Sequence, residues 1–562
     1  MARFASGGSR RSGDCGPSST LCLCLCLCLC LLAVAATGVG GQQVLQGSWE
    51  VMVPNAGIAS MHTAISRYGH AILLDRVSSG PSQIDLTSSE CSALGGNKSA
   101  DCTAHSVLLI PEGLALRPLT VKTDTWCSSG QFGPNGTLIQ TGGQGNGSRK
   151  VRTFAPCPPG GECDWVESST VSLQADRWYA TNQLLPDGRQ IIVGGLNEPN
   201  VEFLPDRGEG LVSLPFLAQN KDSNGDNLYP YVHLLPDGTL FIFANKAAII
   251  YNYTSNSVVR TLPNITGEPR NYPSAGSSVM LPLTSETNYA VVDILICGGA
   301  DFRAFKNASG RFPASDSCGR MRVTDPNPSW AMETMPLRRN MGDMVLLPTR
   351  SVLIINGAQA GAQGFSNAFD PALNPVLYEP NAPQGVRFST LSAATTARVY
   401  HSTANLMADG RVMVAGSNPH AKYTFLVGNP IKDGNYPTEL SVEAFSPPYM
   451  AGSLSVLKPS FIQVPTNLTY GRGFIVIVQV EVPVVGNIFL SLVSAPFTSH
   501  SFSQGQRLLA LGATSPVAIG SNQYQIASLA PPSRNVAPPS YYMLFAINQG
   551  VPSAGAWLQL SD

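Results

Sequence analysis

One short pattern recurs along the chain and constrains its fold more than any other feature. Each copy has a turn rich in Asp, Asn, Pro or Gly, then a run of aliphatic or β-branched residues, and most end in glycine. Six clear copies are GPNGTLIQTGG (133–143), LLPDGRQIIVGG (184–195), LLPDGTLFIFAN (234–245), YAVVDILICGG (289–299), LLPTRSVLIINGA (346–358) and LMADGRVMVAGS (406–417). A weaker first copy is YGHAILLDRVS (68–78). A turn before an apolar run predicts a β-hairpin in each copy.

The spacing of the copies predicts how these hairpins are arranged. They lie about 50–60 residues apart, the period of one blade in a kelch-like propeller. Seven copies predict seven four-stranded blades closed into a ring, which leaves only short, protected edges. An array of unrelated β-sandwiches is the alternative, and the regular period argues against it. The 54 glycines, 43 prolines and only 13% charged residues also favour a turn-rich β protein.

The repeat ends before EAFSPPYM (443–450), where consecutive prolines predict a domain boundary. Further strand-like runs follow, such as GFIVIVQVEV and YYMLFAIN. They predict a small Greek-key, immunoglobulin-like β-sandwich. We therefore expect an all-β protein with a signal peptide at 1–41, a seven-bladed propeller at 42–450 and a β-sandwich at 451–562.

The N-terminus predicts secretion. Basic residues precede the apolar run LCLCLCLCLCLLAVAA (21–36), and small residues follow it, which is typical of a signal peptide cleaved between Ala36 and Gly41. A membrane anchor is the alternative, but the run is shorter than the ~20 residues that a spanning helix needs. Seven N-glycosylation sequons agree with a glycoprotein of the extracellular space or cell wall: Asn97, Asn135, Asn146, Asn252, Asn264, Asn307 and Asn467.

The cysteines behind the leader divide into three close pairs and one residue left over. We expect three disulfide bonds that close short loops in an oxidising compartment: Cys91 with Cys102, Cys157 with Cys163, and Cys297 with Cys318. The remaining residue is Cys127. It is either a buried, inert thiol or a residue with another covalent fate, because an exposed thiol is a liability outside the cell.

Four short motifs carry candidate site residues. They are DTWCSSG (124–130) with Cys127, DRWYATNQ (176–183) with Tyr179, RVYHST (398–403) with Tyr400 and His401, and TSHSFSQGQR (498–507) with His500. Cys127 and Tyr179 lie one repeat period apart, so they occupy equivalent places on adjacent blades. Two histidines and two tyrosines form an N₂O₂ donor set that suits Cu(II). Taken singly, Tyr179 can be a packing residue beside a tryptophan, and His500 an exposed or capped loop residue.

Together, these motifs and this architecture resemble the copper-radical oxidases, and specifically the glyoxal oxidase branch related to galactose oxidase. The resemblance extends from about residue 45 to the C-terminus and includes residues 330–364 and the EAFSPPYM boundary. One departure is PTRS (348–351), where relatives usually have a glycine at the turn. We expect a slightly different hairpin there and no loss of chemistry.

The resemblance implies a site with one copper ion held by Tyr179, Tyr400, His401 and His500. It also implies a thioether between Cys127 and Tyr179, with Tyr179 as the radical residue and Tyr400 as the axial base that accepts the substrate proton. His500 would then reach the site on a loop that the sandwich inserts into the central passage of the ring.

The implied reaction is oxidation of aldehydes to carboxylic acids, with reduction of O₂ to H₂O₂. A primary alcohol or galactose-type oxidase is the closest alternative, and a non-catalytic extracellular kelch module that binds glycans or proteins is another. The joint presence of all five site residues favours an oxidase. A net charge of -1 and no strongly basic patch argue against nucleic acid. We expect a monomer whose partners are a small aldehyde and O₂, without a membrane partner.

Overall fold

The computed structural model describes residues 45–93, 101–425 and 436–562. The predicted signal peptide and the Asn97 sequon lie outside the described residues. Within those ranges the secondary structure is almost entirely β, as predicted, and no helix is long and apolar enough to cross a membrane. The short helices are Ser88–Ala93 and Pro215–Gln219, with 3₁₀ turns at Val77–Ser79, Gly145–Gly147, Ser285–Thr287, Ala308–Gly310, Pro448–Met450 and Gly452–Leu457.

Seven antiparallel sheets follow one another along the first part of the described chain, each built on four strands. They are sheet 1 (His62–Ile65, Ala71–Leu74, Ser106–Ile110, Ala115–Leu119), sheet 2 (Ser129–Phe132, Leu138–Thr141, Lys150–Phe154, Trp165–Ser172), sheet 3 (Thr181–Leu184, Gln190–Val193, Asn200–Leu204, Val212–Ser213), sheet 4 (Tyr231–Leu234, Leu240–Ala244, Ala247–Asn252, Ser257–Leu262), sheet 5 (Gly276–Met280, Asp293–Gly298, Ser317–Arg322, Ala331–Thr334), sheet 6 (Asp343–Leu346, Val352–Ile355, Val376–Tyr378, Phe388–Thr390) and sheet 7 (Ser402–Leu406, Val412–Gly416, Val442–Ser446, Ser48–Val53). Ala358–Gly361 and Ala368–Pro371 form an extra hairpin after the second strand of sheet 6. Every copy of the sequence pattern supplies the second strand of one sheet.

The sheets are joined through their first strands and through the start of the chain. The first strands of sheets 2 and 3, 3 and 4, 5 and 6, 6 and 7, and 7 and 1 lie against each other. Ser48–Val53, the earliest described strand, is the outermost strand of sheet 7, where it pairs with Val442–Ser446. Sheet 7 therefore combines the beginning and the end of this part of the chain.

Two further sheets form the C-terminal part. One contains Leu508–Leu511, Ile488–Ser494, Ser540–Asn548, Ala556–Ser561 and Asn467–Thr469, with Val551–Pro552 and Leu283–Thr284 at its edges, and the other contains Ser460–Gln463, Gly473–Gln479, Gln523–Leu529 and Val517–Gly520. Residues of both share one hydrophobic core with sheets 4 and 5, in which Phe243 and Ile294 join Val476 and Leu544. Apolar burial of this kind, worth about 25 cal/mol per Å², fixes the C-terminal part against those sheets.

A hairpin from the C-terminal part reaches the first strands of the sheets. Phe497–Ser499 pairs with His62–Ile65 of sheet 1 and with Phe502–Gln504. The hairpin also contacts the first strands of sheets 2, 3, 5, 6 and 7, and the side chains of Phe497 and Phe502 are buried. This central hairpin carries His500 at its tip.

The predicted disulfide bonds are confirmed: Cys91–Cys102, Cys157–Cys163 and Cys297–Cys318. Among the described cysteines, Cys127 has no disulfide partner and is buried.

The turn at Arg350 differs from expectation. Arg350 adopts φ 75°, close to the φ of 87° at Gly238 in the equivalent turn of sheet 4. Its N–H donates to the Leu347 carbonyl at 2.9 Å, as the Gly238 N–H donates to the Leu235 carbonyl at 2.9 Å. The expectation of a different hairpin is wrong, because Arg350 takes the left-handed conformation and the turn is unchanged. Its guanidinium lies 5.1 Å from the Phe489 ring centroid, a cation–π contact that offsets part of the strain.

Candidate metal centre

The structure brings the five predicted site residues together beside the first strands of the sheets. Cys127 and Tyr179 lie just before the first strands of sheets 2 and 3, and Tyr400 and His401 just before that of sheet 7. His500 comes from the tip of the central hairpin. All five side chains are buried. The N–H of Tyr179 donates to the carbonyl of Cys127 at 2.9 Å, so the thiol and the phenol belong to adjacent backbone segments.

Left-handed backbone conformations aim these side chains inward. The φ angles of Cys127, Tyr179, His401 and His500 are 52°, 66°, 68° and 47°. Non-glycine residues rarely adopt this region, and it costs about 1–2 kcal/mol per residue. The turn also explains how sequence neighbours serve one site, since a regular strand would point them to opposite faces. The rings of Tyr400 and His401 are stacked with centroids 3.7 Å apart.

The donor atoms are close to one another. The Cys127 Sγ lies 3.1 Å from the Nε2 of His500. This Sγ and one ring nitrogen of each of His401 and His500 all lie within 4.8 Å of one another. The ring centroid of His500 is 6.2 Å from that of Tyr179 and 5.7 Å from that of Tyr400. The sequence-predicted residues therefore form one cluster.

Two further tyrosines belong to the cluster and were missed by the sequence reasoning. The Tyr272 hydroxyl lies 3.3 Å from the Tyr179 hydroxyl and 3.2 Å from the Tyr400 hydroxyl, which makes a line of three phenols. Tyr229 stacks on His500 at 4.8 Å and donates its hydroxyl to the Ser128 carbonyl at 2.8 Å. Tyr229 follows Tyr179 by one more repeat period, a signal that could have found it.

A hydrogen-bonded relay fixes the tautomer of His500. Burial above all lowers the pKa of His62 to about 3, so this ring is neutral. Its Nε2 lies 3.1 Å from the Thr125 carbonyl, which can only accept, and 3.1 Å from the Ser128 hydroxyl, which can do either. The carbonyl requires Nε2 to be the donor, so Nδ1 accepts from the Ser499 hydroxyl at 2.7 Å. The Ser499 oxygen in turn accepts from Nδ1 of His500 at 2.6 Å. Because burial also keeps the pKa of His500 well below its usual value, its Nε2 presents a lone pair to the site.

Buried arginines brace four first strands from behind. Each arginine lies two residues before a residue that faces the cluster. Its Nη1 donates a hydrogen bond to a carbonyl at the end of the second strand of the same sheet. The pairs are Arg177 to Gly194, Arg270 to Gly298, Arg339 to Asn356 and Arg398 to Gly416. The residues they precede are Tyr179, Tyr272, Met341 and Tyr400. In each of the four sheets, this hydrogen bond fixes the segment just before the first strand to the end of the second strand.

The donor set fits copper. Both ring nitrogens of His401 are buried and have no hydrogen-bond partner within the described residues. Such an unpaired polar group costs about 1–3 kcal/mol, and a metal bond to one nitrogen would remove part of that cost. Burial, followed by the positive charge of Arg76, holds the pKa of His401 well below its usual value, so the ring is a neutral donor. Burial raises the pKa of Tyr179 and Tyr400 well above 10, a shift that a bound divalent cation reverses by stabilising the phenolate.

Aromatic side chains line one side of the cluster. Phe365, 37% exposed, has its ring centroid 6.0 Å from that of Tyr400 and 6.4 Å from that of His401. Trp126 stacks on Phe365 at 5.7 Å, and the Arg76 guanidinium lies 4.0 Å above Trp126. Phe365 is thus a partly exposed residue in contact with both halves of the Tyr-His pair.

Comparison with known proteins identifies the family. The model of the glyoxal oxidase N-terminus matches residues 61–449, and that of the galactose oxidase-like, Early set domain matches residues 458–560. The chain is 53% identical to "Aldehyde oxidase GLOX" of Vitis pseudoreticulata, over 92% of this chain and 97% of that protein. It is 39% identical to "Aldehyde oxidase GLOX1" of Arabidopsis thaliana, over 92% and 84%. The chain therefore belongs to the glyoxal oxidase family of copper-radical oxidases, as predicted.

A solved structure supports the fold alone. It is described as a novel fungal alcohol oxidase in complex with copper, and it superposes with a TM-score of 0.69 at 17% identity. The superposition covers 92% of this chain and all of that one.

Proposed function

We propose that the protein is a secreted oxidase that converts aldehydes to carboxylic acids and reduces O₂ to H₂O₂. The observation that carries this proposal is the convergence of Cys127, Tyr179, Tyr400, His401 and His500 in one buried cluster. In each turnover the aldehyde hydrate loses two electrons and two protons, and O₂ gains them as H₂O₂. A glycan- or protein-binding module has no use for this set of donors.

The proposal includes the architecture. Sheets 1 to 7 are the blades of one closed propeller within residues 42–450, and the C-terminal sheets are a Greek-key sandwich within 451–562. Contacts between the first strands in five of the seven neighbouring pairs of sheets, and the pairing of Ser48–Val53 into sheet 7, support the closed ring. The family matches at 61–449 and 458–560 support the division.

In this proposal Tyr179, Tyr400, His401 and His500 hold copper, which when bound supplies a Lewis acid and a one-electron acceptor. Cys127 and Tyr179 are joined by a thioether. Its formation removes the thiol hydrogen and one ring hydrogen, with O₂ as the two-electron acceptor. The sulfur donates electron density to the ring, which makes the one-electron-oxidised form of Tyr179 less oxidising and longer lived. That oxidised form would be the second one-electron acceptor, and O₂ would regenerate it after each turnover. The backbone hydrogen bond between the two residues keeps thiol and phenol adjacent.

The hydroxyls of Tyr179, Tyr272 and Tyr400 determine where the substrate proton is transferred. Tyr400 accepts the hydroxyl proton of the bound aldehyde hydrate at its Oη. Tyr272 orients the hydroxyls of Tyr179 and Tyr400, since it lies within hydrogen-bonding distance of both. The buried surroundings exclude bulk water and strengthen these contacts. Phe365 and Trp126 flank the approach to the pair and would contact the substrate's carbon chain.

We also infer that the chain is a monomer released to the extracellular space or cell wall. Three disulfide bonds support an oxidising destination. Five of the sequons lie on exposed asparagines, as glycosylation requires: Asn135, Asn146, Asn264, Asn307 and Asn467.

The first test is peptide mass spectrometry on the secreted, copper-loaded protein. We expect a cross-linked fragment that joins Cys127 to Tyr179 and lacks two hydrogens. Cys127→Ser keeps all four ligands, so it should still bind copper while peroxide release falls at least 1,000-fold, a loss of about 4 kcal/mol in transition-state stabilisation. Finding Cys127 free in copper-replete wild-type protein would contradict the proposal. Peroxide release with glyoxal and with galactose then separates an aldehyde oxidase from the galactose-type alternative.

A further inference from the structure

A loop beside the candidate metal centre contains two carboxylates that the proposed reaction does not use. The loop NKDSNGDN (220–227) connects the helix Pro215–Gln219 to the first strand of sheet 4. The Asp226 side chain is 0% exposed. Its Oδ1 accepts from the Ser274 N–H at 3.0 Å, whereas Oδ2 is buried and has no partner among the described residues. The Ser274 hydroxyl is also buried without a partner among the described residues and is the nearest neutral donor to this carboxylate. One hydroxyl does not compensate a buried charge, so the carboxylate also needs a proton or a cation.

The nearest carboxylate is that of Asp222, on the same loop. Asp222 Oδ1 accepts from the N–H groups of Asn224, Gly225 and Asp226 at 2.9, 3.0 and 3.2 Å. Its Oδ2 accepts from the side chain of Asn245 at 2.8 Å. Burial first, and then the neighbouring Asp222 carboxylate, raise the pKa of Asp226 to about 7. The two carboxylates are therefore close enough to repel each other when both are ionised.

Two amide oxygens of the loop are also without partners. The Oδ1 atoms of Asn224 and Asn227 are buried and accept no hydrogen bond from any part of the chain that the structure describes. Their orientation is set by the amide nitrogens, which donate to the carbonyls of Phe302 and Leu217. Carboxylate and amide oxygens are the ligands that Ca²⁺ prefers, and the alternate positions 222, 224 and 226 have the residue types of the first three ligand positions of an EF-hand loop. The loop is not an EF-hand, because Asn227 stands where an EF-hand has its glycine.

We propose that this loop binds a Ca²⁺ ion through the carboxylates of Asp222 and Asp226 and the amide oxygens of Asn224 and Asn227. Two carboxylates balance the charge of the ion, and water completes a coordination number of about 6–8.

The ion would brace the two tyrosines that the sequence reasoning missed. Asp226 is bonded to Ser274, two residues beyond Tyr272. The Asn271 side chain donates to the Tyr229 carbonyl at 3.0 Å, and Leu228 pairs with Tyr272 through an isolated β-bridge. The calcium loop would thus hold the segments that carry Tyr229 and Tyr272. The proposal does not depend on the oxidase activity.

Calcium titration of the full-length secreted chain tests the site. The protein is stripped of metal with EDTA, reloaded with copper and titrated with CaCl₂ by calorimetry, while thermal unfolding is followed in parallel. We expect one Ca²⁺ per chain and a Tm that rises with calcium concentration, because the ion binds only the folded state. Asp226→Asn is nearly isosteric and can keep the bond from Ser274. It should weaken calcium affinity at least tenfold and shift the calcium-dependent rise in Tm to at least tenfold higher calcium concentrations.

Asp237→Asn is the matched control, because Asp237 is an exposed turn carboxylate that accepts from the Thr239 N–H at 2.9 Å. It should leave calcium binding unchanged. Absence of heat and of any Tm change up to millimolar calcium in the wild-type protein would show that Asp222 and Asp226 share a proton instead. Wild-type calcium affinity in both Asp226→Asn and Asn224→Ala would also overturn the proposal. If Asp226→Asn does not fold, the wild-type titration and Asn224→Ala decide.

Discussion

Replacing Arg177 with methionine tests how the candidate site is held in place. Arg177 is fully buried two residues before Tyr179. Its Nε donates to Glu202 Oε1 at 2.6 Å, Nη1 to the Gly194 carbonyl at 2.6 Å, and Nη2 to the Asn200 side chain at 2.7 Å. Methionine approximates the aliphatic stem but removes every donor. The variant therefore isolates the guanidinium from the packing around it.

The expected loss of stability follows from the state of Glu202. Its side chain is 3% exposed, and without Arg177 its charge keeps only the N–H groups of Gln174 at 2.8 Å and Ala175 at 3.4 Å. Removing one partner of a buried ion pair costs about 3–5 kcal/mol, because the other charge is left uncompensated. The Gly194 carbonyl also loses a donor, but the two effects share one side chain and do not simply add. We expect Arg177→Met to lose about 3–5 kcal/mol.

Guanidinium unfolding followed by tryptophan fluorescence measures this loss as a shift of the midpoint. Arg149→Met is the control, because its pair with Asp176 at 2.8 Å has side chains 56% and 55% exposed. An exposed pair of this kind is worth about 0–1 kcal/mol. Adding Glu202→Gln to Arg177→Met should restore part of the stability by removing the unpaired charge. A midpoint for Arg177→Met no lower than that of the control, or no recovery in the double variant, would show that the buried ion pair of Arg177 and Glu202 does not stabilise the fold.

Three further predictions concern single contacts. Ser499→Ala breaks the relay that orients His500 and should weaken copper affinity about 10–100-fold in a chelator competition assay, whereas Ser503→Ala on the same hairpin should not. Arg350→Gly relieves left-handed strain of about 1–2 kcal/mol but loses the Phe489 contact and adds freedom to the unfolded chain, so it should raise stability by at most about 1 kcal/mol in denaturant unfolding. Arg350→Lys keeps the strain and should give no gain. Burial raises the pKa of Asp343 from 3.8 to about 8, so the folded state retains a proton that the unfolded chain releases. Stability from this group therefore falls as pH rises between about 4 and 8, and a Tm series should show a flatter profile for Asp343→Asn.

The sequence predicted the hairpins of the sheets correctly, because short-range turn residues determine where each hairpin forms. The Asp-Gly and Asn-Gly turns and the alternating apolar runs set the hairpins, and their spacing indicated that the hairpins repeat as equivalent units. The disulfide pairs were predictable because each closes a short loop, as in Cys157–Cys163. The five candidate residues were found through motifs that stand next to strands, together with the family resemblance.

The remaining parts of the site depend on contacts between distant segments. Tyr272 lies between Tyr179 and Tyr400, which are 93 and 128 residues away in the sequence. A tyrosine before a proline is common in turns, so no local signal distinguishes Tyr272 from a surface residue. Arg177 illustrates the same limit, since an arginine in a strand-rich chain is usually solvent-exposed. Here its burial is possible because Glu202 and three other acceptors surround it.

Contacts between distant parts of the chain determine which ring nitrogen of His500 is unprotonated and faces the site. His62 in sheet 1 and Ser499 in the C-terminal part are 437 residues apart in the sequence, yet their hydrogen bond sets the tautomer. Phe497–Ser499 pairs with His62–Ile65, so this bond exists only when the central hairpin has docked on sheet 1. Docking also supplies His500 itself. A chain whose hairpin is undocked therefore lacks one donor completely, and correct copper binding is coupled to completion of the tertiary fold.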